Sequence, residues 1–163
     1  MDNKFDVVIV GTGAAGLYAA LNFPESVNIL LVSKRELQLS NSSLAQGGVA
    51  CVLDTVHDSY KLHITDTLIA GKYKNTLSAV EKLVTEGPSD VLKIKDLGVD
   101  FDLNEDGTMC KTLEAGHSRN RIVHHKDSTG KAIVDGLIAK VTQLNNVTVC
   151  DNALVYSIDK VLN

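Results

Sequence analysis

The apolar positions of this 163-residue chain change period several times, and each change marks a predicted element. Residues 5–10, FDVVIV, are almost continuously apolar and predict a buried strand. They run into Gly11-Thr12-Gly13-Ala14-Ala15-Gly16, with a helix-prone run at 14–22 and a second apolar strand at 27–32, which completes a βαβ unit. Across 55–70, Val56, Tyr60, Ile64 and Leu68 recur every four positions with Asp58 and Asp66 off the stripe, the pattern of an amphipathic helix ended by Gly71. Two more helices are expected at 77–86 and 89–97, separated by Gly87-Pro88, with Pro88 in a first helical turn. Residues 99–113 read as a hairpin around Asn104-Glu105-Asp106-Gly107. Asp127-Ser128-Thr129-Gly130 then caps a helix with the stripe Val134, Leu137, Ile138, Val141 and Leu144, and strands are expected at 147–150 and 153–158. Strands alternating with helices in this way predict an α/β fold with a parallel sheet and flanking helices. There is no internal repeat, low-complexity tract or linker, so one domain is expected.

Charge and composition narrow the function. Sixteen basic and twenty acidic residues give a net charge of −4, and there is no tryptophan, so neither a basic footprint nor a base-stacking platform for nucleic acid is present. The first residues enter a short strand without a long apolar run, which disfavours secretion and membrane spanning. Cys51, Cys110 and Cys150 are odd in number and widely spaced, unlike a disulfide framework or a zinc pattern, and are expected to be reduced in the cytoplasm. His57 and His63 fall on the first amphipathic helix and read as partly exposed structural histidines.

A strand running into GxGxxG points to a dinucleotide. Gly11 makes the tight turn, Gly13 lets the backbone approach a pyrophosphate at the helix N-terminus, and Gly16 lets helix and strand pack closely. The acidic residue expected at the end of the second strand is replaced by Val32-Ser33-Lys34-Arg35-Glu36. Ser33 can bond a ribose more weakly, Glu36 is a displaced candidate, and Lys34 and Arg35 read equally as a solvated loop. Residues 39–49, LSNSSLAQGGV, carry small hydroxyl and amide side chains before Gly47-Gly48, suited either to close approach to a ligand or to an ordinary surface loop. From Lys111 to Lys131 there are five basic residues against two acidic ones, with His117, His124 and His125, a local positive patch suited to an anionic ligand. Those histidines lack metal-ligand spacing, and no G-x-S-x-G elbow is present.

Four segments in this order carry a family resemblance: the glycine motif, Ser40 through Gly48, Asp66-Thr67-Leu68-Ile69-Ala70-Gly71, and Glu114-Ala115-Gly116-His117-Ser118-Arg119 through Arg121-Ile122-Val123-His124. Together they resemble the aspartate-oxidising members of the succinate dehydrogenase and fumarate reductase flavoprotein family, over nearly the whole chain. The resemblance implies a Rossmann-like FAD-binding domain of the glutathione-reductase type. Residues 1–163 would be its N-terminal part, incomplete at the C-terminal end, with capping and C-terminal helical domains outside these residues. It implies FAD contacts at Gly11, Thr12, Gly13, Ala14, Ala15, Gly16, Ser33, Lys34, Asn41, Ser42, Ser43, Leu44, Ala45, Gln46, Gly47 and Gly48, and near the adenine at Ala153 and Leu154. Family members that attach FAD covalently do so through a histidine where this chain has Asn41, so the flavin is expected to be non-covalent.

By the same resemblance, Glu114 would meet the substrate ammonium; the alternative is a surface glutamate paired with Arg119 or Arg121. Leu113 stands where the family has arginine, and the family's catalytic arginine and substrate histidines fall outside these residues, so no catalytic residue is expected here. The implied reaction is oxidation of L-aspartate to iminoaspartate by hydride transfer from Cα to the flavin, with oxygen or fumarate as acceptor. It would feed NAD synthesis in functional coupling with quinolinate synthase, and the 163 residues alone would be inactive. Two alternatives are a succinate dehydrogenase or fumarate reductase flavoprotein and a non-catalytic dinucleotide-binding module. Neither a nucleic-acid nor a membrane partner is expected.

Overall fold

In the computed structural model, which describes residues 4–160, the elements follow in the order β1 (Val7–Val10), α1 (Ala14–Leu21), β2 (Ile29–Val32), β3 (Val49–Ala50), α2 (Tyr60–Ala70), α3 (Leu77–Asp96), β4 (Lys111–Thr112), β5 (Ile122–Val123), α4 (Thr129–Val141) and β6 (Val147–Cys150). They form two three-stranded sheets. One is parallel, in the order β1-β2-β6, with Val7 opposite Ile29 and Ile29 opposite Val147. The other is antiparallel, in the order β3-β5-β4.

Helices α1 and α4 cover one face of the parallel sheet. Leu17 and Ala20 of α1 meet Leu31 of β2 and Val134, Leu137, Ile138 and Val141 of α4 in one buried cluster, with Ile9 packed against it. Removing Leu17 from water, at 0% exposure, contributes about 2–3 kcal/mol and fixes the axis of α1 against the sheet. On the other face Val8 and Val10 remain 54% and 58% exposed. A second cluster of Cys51, Val91, Val99, Phe101, Met109 and Val123 seats the antiparallel sheet on α3. Ile94 and Ile133 touch both clusters, so the sheets share one packed body.

The parallel α/β core, α4 and β6 match the expectation, except that Ser128 at the N-cap of α4 makes no side-chain capping bond, and four other elements differ. Helix α2 starts at Tyr60 because Asp54 Oδ1 accepts from the N–H groups of Val56 and His57 in a turn, and Ser59 Oγ then caps the helix through Leu62 N–H at 3.2 Å. The expected stripe fails with it: Val56 is 84% exposed, whereas Asp58 and His63 are buried. His57 lies in the preceding turn, off the helix, and is exposed.

The two helices expected around Gly87-Pro88 are one, α3. Pro88 forfeits one helical hydrogen bond, yet Val80, Val84, Pro88 and Val91 form a single buried stripe whose packing outweighs that loss. The hairpin around Asp106-Gly107 closes by a single bridge, Leu103 to Met109, while β4 pairs with the unforeseen strand β5. Residues 153–158 form no strand. Ala153 N–H donates to the Ser33 carbonyl at 2.9 Å, after which Tyr156 and Ile158 are 91% and 88% exposed.

Candidate functional site

At the end of β1 the chain leaves the sheet through Gly11, whose N–H still bonds the Val32 carbonyl at 2.8 Å and whose φ of +111° turns the backbone toward α1. The next residue, Thr12, is buried and donates through Oγ1 to Ser33 Oγ at 3.0 Å, which ties the ends of β1 and β2 together. Helix α1 starts at the N-cap Gly13, which supplies no side-chain cap, and has no acidic residue in its first turn. Ala14 N–H bonds Ser42 Oγ at 3.2 Å. The partial positive charge of a helix N-terminus therefore stands without a carboxylate beside it. Gly16 closes the motif from behind: a Cβ there would overlap the Gly11 carbonyl oxygen.

This helix end faces a cavity of about 510 Å³. Gly11, Thr12 and Gly13 form one wall, Ser33 and Lys34 the β2 side, and Asn41, Ser42 and Leu44 the opposite side. To the expected FAD contacts the structure adds Arg35, which the sequence left open as a solvated loop residue, and Leu39 and Ser40 from the start of the 39–49 segment. A turn of hydroxyls shapes the opposite wall: Ser40 N–H bonds Ser43 Oγ, and Ser43 Oγ–H bonds the Ser40 carbonyl at 2.8 Å.

A smaller cavity of about 210 Å³ shares Ser42 with it and is lined by Ala14, Ala45, Gly47 and Gly48 together with Thr129 and Gly130 of α4. Gly130 N–H bonds the Ala45 carbonyl at 3.0 Å, which holds the small-residue segment against the N-terminus of α4. Ala15 continues α1, while Gln46 is exposed and lines neither cavity. Ala153 reaches the Ser33 backbone, beside the first cavity, whereas Leu154 is 64% exposed.

Glu114 lies at the glycine end of the same segment. Its Oε1 accepts from Gly48 N–H at 3.4 Å, and among the described residues it forms no ion pair. The expected alternative, a pair with Arg119 or Arg121, is absent because both are engaged elsewhere: Arg119 donates to the Ser118 carbonyl, and Arg121 turns inward. At 1% exposure, the Arg121 guanidinium makes a fork to Asp58 at 2.7 and 2.8 Å, bonds Asp66 at 2.5 Å and reaches His117 Nδ1 at 3.1 Å. Since an arginine only donates, His117 Nδ1 is the acceptor in that contact. Burial raises the carboxyl pKa of Asp58 and Asp66, but the bonds and charge of Arg121, together with the Ser59 N–H bond to Asp58 and the Ser118 N–H and hydroxyl bonds to Asp66, outweigh it and hold both below the usual carboxylate range. Burial, helped by the neighbouring Arg121, pushes the His63 imidazole below 6.5.

The positive patch expected over residues 111–131 is thereby corrected. Arg121 is buried among carboxylates, Lys111 lies 3.5 Å from Asp54, and Lys131 pairs with Asp135. His124 and His125 gather around Asp102, whose carboxyl is held low first by the Lys126 N–H bond. The sequence reading missed the acid pair of Asp58 and Asp66; a buried arginine demands such partners, but nothing local in the chain says which acids supply them.

Residues 6–160 match the family described as FAD binding domain. The chain belongs to the FAD-binding domain family. FAD is therefore the cofactor of this domain. It is 43% identical over 152 residues to an L-aspartate oxidase of Clostridium perfringens, covering 93% of this chain and 34% of that protein. It is likewise 43% identical over 156 residues to an L-aspartate oxidase of Acinetobacter baylyi, covering 96% and 28%. Among solved structures it resembles an E. coli quinol fumarate reductase with a TM-score of 0.87 at 27% identity, covering 91% of this chain and 26% of that one. A quinol-fumarate reductase solved with menaquinol gives a TM-score of 0.84 at 26% identity, again over 91% and 26%. This FAD-binding domain thus spans about a third or less of the length of the curated relatives it matches. No helix among the described residues is long and apolar enough to cross a membrane.

Proposed function

We propose that this FAD-binding domain serves the oxidation of L-aspartate to iminoaspartate, with FAD held non-covalently. The observation that carries the reading is Glu114, a carboxylate free of ion pairs among the described residues, placed against Gly48 at the end of the cavity-lining segment. Its support from relatives is the 36–43% identity to proteins named L-aspartate oxidase.

The residues present fit the cofactor. A helix N-terminus with no acidic residue in its first turn suits a pyrophosphate, with the turn at Gly11 and the close approach at Gly13 bringing the backbone to it and Ser42 Oγ holding the Ala14 N–H. Lys34 and Arg35 add positive charge on the β2 side of the same cavity. Thr12 and Ser33, locked to each other, keep the two strand ends in register beside it. Asn41 to Gly48 would run along the flavin, with Ala153 and Leu154 toward the adenine. When bound, FAD accepts the hydride from the substrate, and the chain's part is to bind and orient. Glu114 would pair with the substrate ammonium, a charge-assisted bond that a substrate lacking nitrogen cannot make.

The 163 residues on their own are proposed to be inactive, since they span so little of the relatives' length. Oxygen or fumarate would be the acceptor, in a cytoplasmic reaction that opens de novo NAD synthesis and is coupled to quinolinate synthase. The three free cysteines suit such a reducing compartment.

The test is anaerobic addition of L-aspartate to the full-length, FAD-loaded protein. Bleaching of the flavin band by aspartate, weakened in Glu114→Gln, is expected; no bleaching by aspartate under any condition rejects the reading. The likeness to fumarate reductases favours one second reading, a dicarboxylate enzyme of that kind. Bleaching by succinate in preference to aspartate, or flavin that stays attached after denaturation, would establish it.

A further inference from the structure

We propose that Arg121 is a positioning residue: its buried guanidinium fixes the loop that carries Glu114, and so decides where the substrate ammonium sits. The inference rests on the reading of Glu114 as the ammonium partner. Glu114 is itself weakly held, with one side-chain bond of 3.4 Å and a turn in which its carbonyl accepts from His117 N–H at 3.2 Å. The residues that follow it are held firmly. Ser118 gives Asp66 both its N–H at 2.9 Å and its hydroxyl at 2.8 Å, and Arg121 binds the same Asp66, Asp58 and His117.

Asp66 lies on α2 and Asp58 just ahead of its N-cap, so the helix acts as a base plate on which the loop between β4 and β5 is bolted. At 1% exposure Arg121 is almost wholly buried, and it lines neither cavity of the proposed cofactor site. A buried arginine between two carboxylates is also a poor source of stability, because desolvation consumes most of the attraction and an apolar cluster would serve the core equally well. What the arrangement does supply is direction: a planar fork with fixed bond angles sets the loop in one place.

The test uses the full-length, FAD-loaded protein with Arg121→Lys, Glu114→Gln and the double variant. Arg121→Lys keeps the charge and loses the fork. It is expected to raise KM for L-aspartate about tenfold, to leave inhibition by succinate and the FAD Kd within about twofold, and to add nothing to Glu114→Gln in the double variant. Independent effects in the double variant, or equal losses for aspartate, succinate and FAD, would overturn the proposal by showing a general structural role.

If Glu114→Gln alone leaves the aspartate KM unchanged, the ammonium reading fails separately. Amide exchange at His117 and Ser118 then decides the positioning role: faster exchange in Arg121→Lys with flavin affinity intact supports it, and unchanged exchange refutes it. Should Arg121→Lys fail to fold, Ser118→Ala removes one bolt on the loop. It is expected to give a smaller rise in the same KM and the same non-additivity with Glu114→Gln; additivity there refutes the proposal too.

Discussion

Consider Gly13→Ala. The Gly13 backbone, at φ −74° and ψ 177°, lies in a region that any L residue adopts, and an added Cβ meets only Ser42 Oγ at 2.8 Å, the end of a short rotatable side chain. Reduced freedom of the unfolded chain is worth about 0.4–1 kcal/mol in favour of the variant. Against this, a displaced Ser42 weakens its bond from Ala14 N–H, worth about 0.5–1.5 kcal/mol. The two nearly cancel, so the fold without cofactor is expected to stay within about 1 kcal/mol of wild type. The same methyl stands where the proposed pyrophosphate takes bonds from the start of α1. Losing one bond to a charged group costs about 1.5–3 kcal/mol, which weakens FAD about ten- to a hundredfold.

Gly16→Ala is the contrasting variant. Its Cβ overlaps the Gly11 carbonyl oxygen, which is backbone and cannot rotate away, so the fold itself should lose about 1–3 kcal/mol. Urea denaturation of the apo full-length protein gives the stability term, and titration with FAD followed by flavin fluorescence gives the affinity. If Gly13→Ala binds FAD as tightly as wild type, or loses more than about 2 kcal/mol of apo stability, the assignment of Gly13 as an approach glycine is refuted.

Asp58→Asn should cost about 3–5 kcal/mol in urea denaturation, because it leaves the Arg121 fork buried with one carboxylate in place of two; a loss under about 1 kcal/mol would mean the guanidinium is solvated. The pH dependence has two parts. His63 is held below 6.5 in the fold and returns to about 6.5 when unfolded, so the unfolded chain takes up more protons and stability falls as pH drops below that value. Asp58 and Asp66 are depressed below 3.8, so their contribution is present above the unfolded value and is lost as pH falls through the folded ones. His63→Gln should flatten the first decline and leave the second; an unchanged first decline would remove His63 from the account. The Cys51 thiol, pushed up to about 12 by burial, should resist alkylation in the folded protein while exposed Cys150 reacts, as peptide mapping after labelling would show.

The first βαβ unit is legible in the sequence because it is local: a continuous apolar strand, three glycines and a second strand act within about thirty residues, the size of one such unit. The walls added by Asn41 to Gly48 are legible in part: small polar residues before two glycines fit either a ligand wall or a surface loop, and the contacts to α1 and α4 decide for the wall. The reading fails where distant partners decide. The α2 stripe of Val56, Tyr60, Ile64 and Leu68 is a fair periodic signal, yet Asp58 is buried because Arg121, 63 residues away, requires it. Burial of Val80, Val84 and Val91 around Pro88 carries α3 through a residue that local rules treat as a break. The 111–131 patch looks cationic only while its carboxylate partners, outside that window, stay out of view. Residues 153–158 form a mostly apolar, β-prone run, but such a run alone supplies no neighbour to pair with.

On the proposed reading, the cavity at the start of α1 holds FAD without a covalent bond. Its most direct measurement is to purify the full-length protein, denature it and separate polypeptide from small molecules. Stoichiometric free FAD and a colourless polypeptide are expected, with renewed binding of FAD but not NAD by the refolded apo protein. A colourless native protein that binds NAD instead, or flavin that travels with the denatured chain, would contradict it.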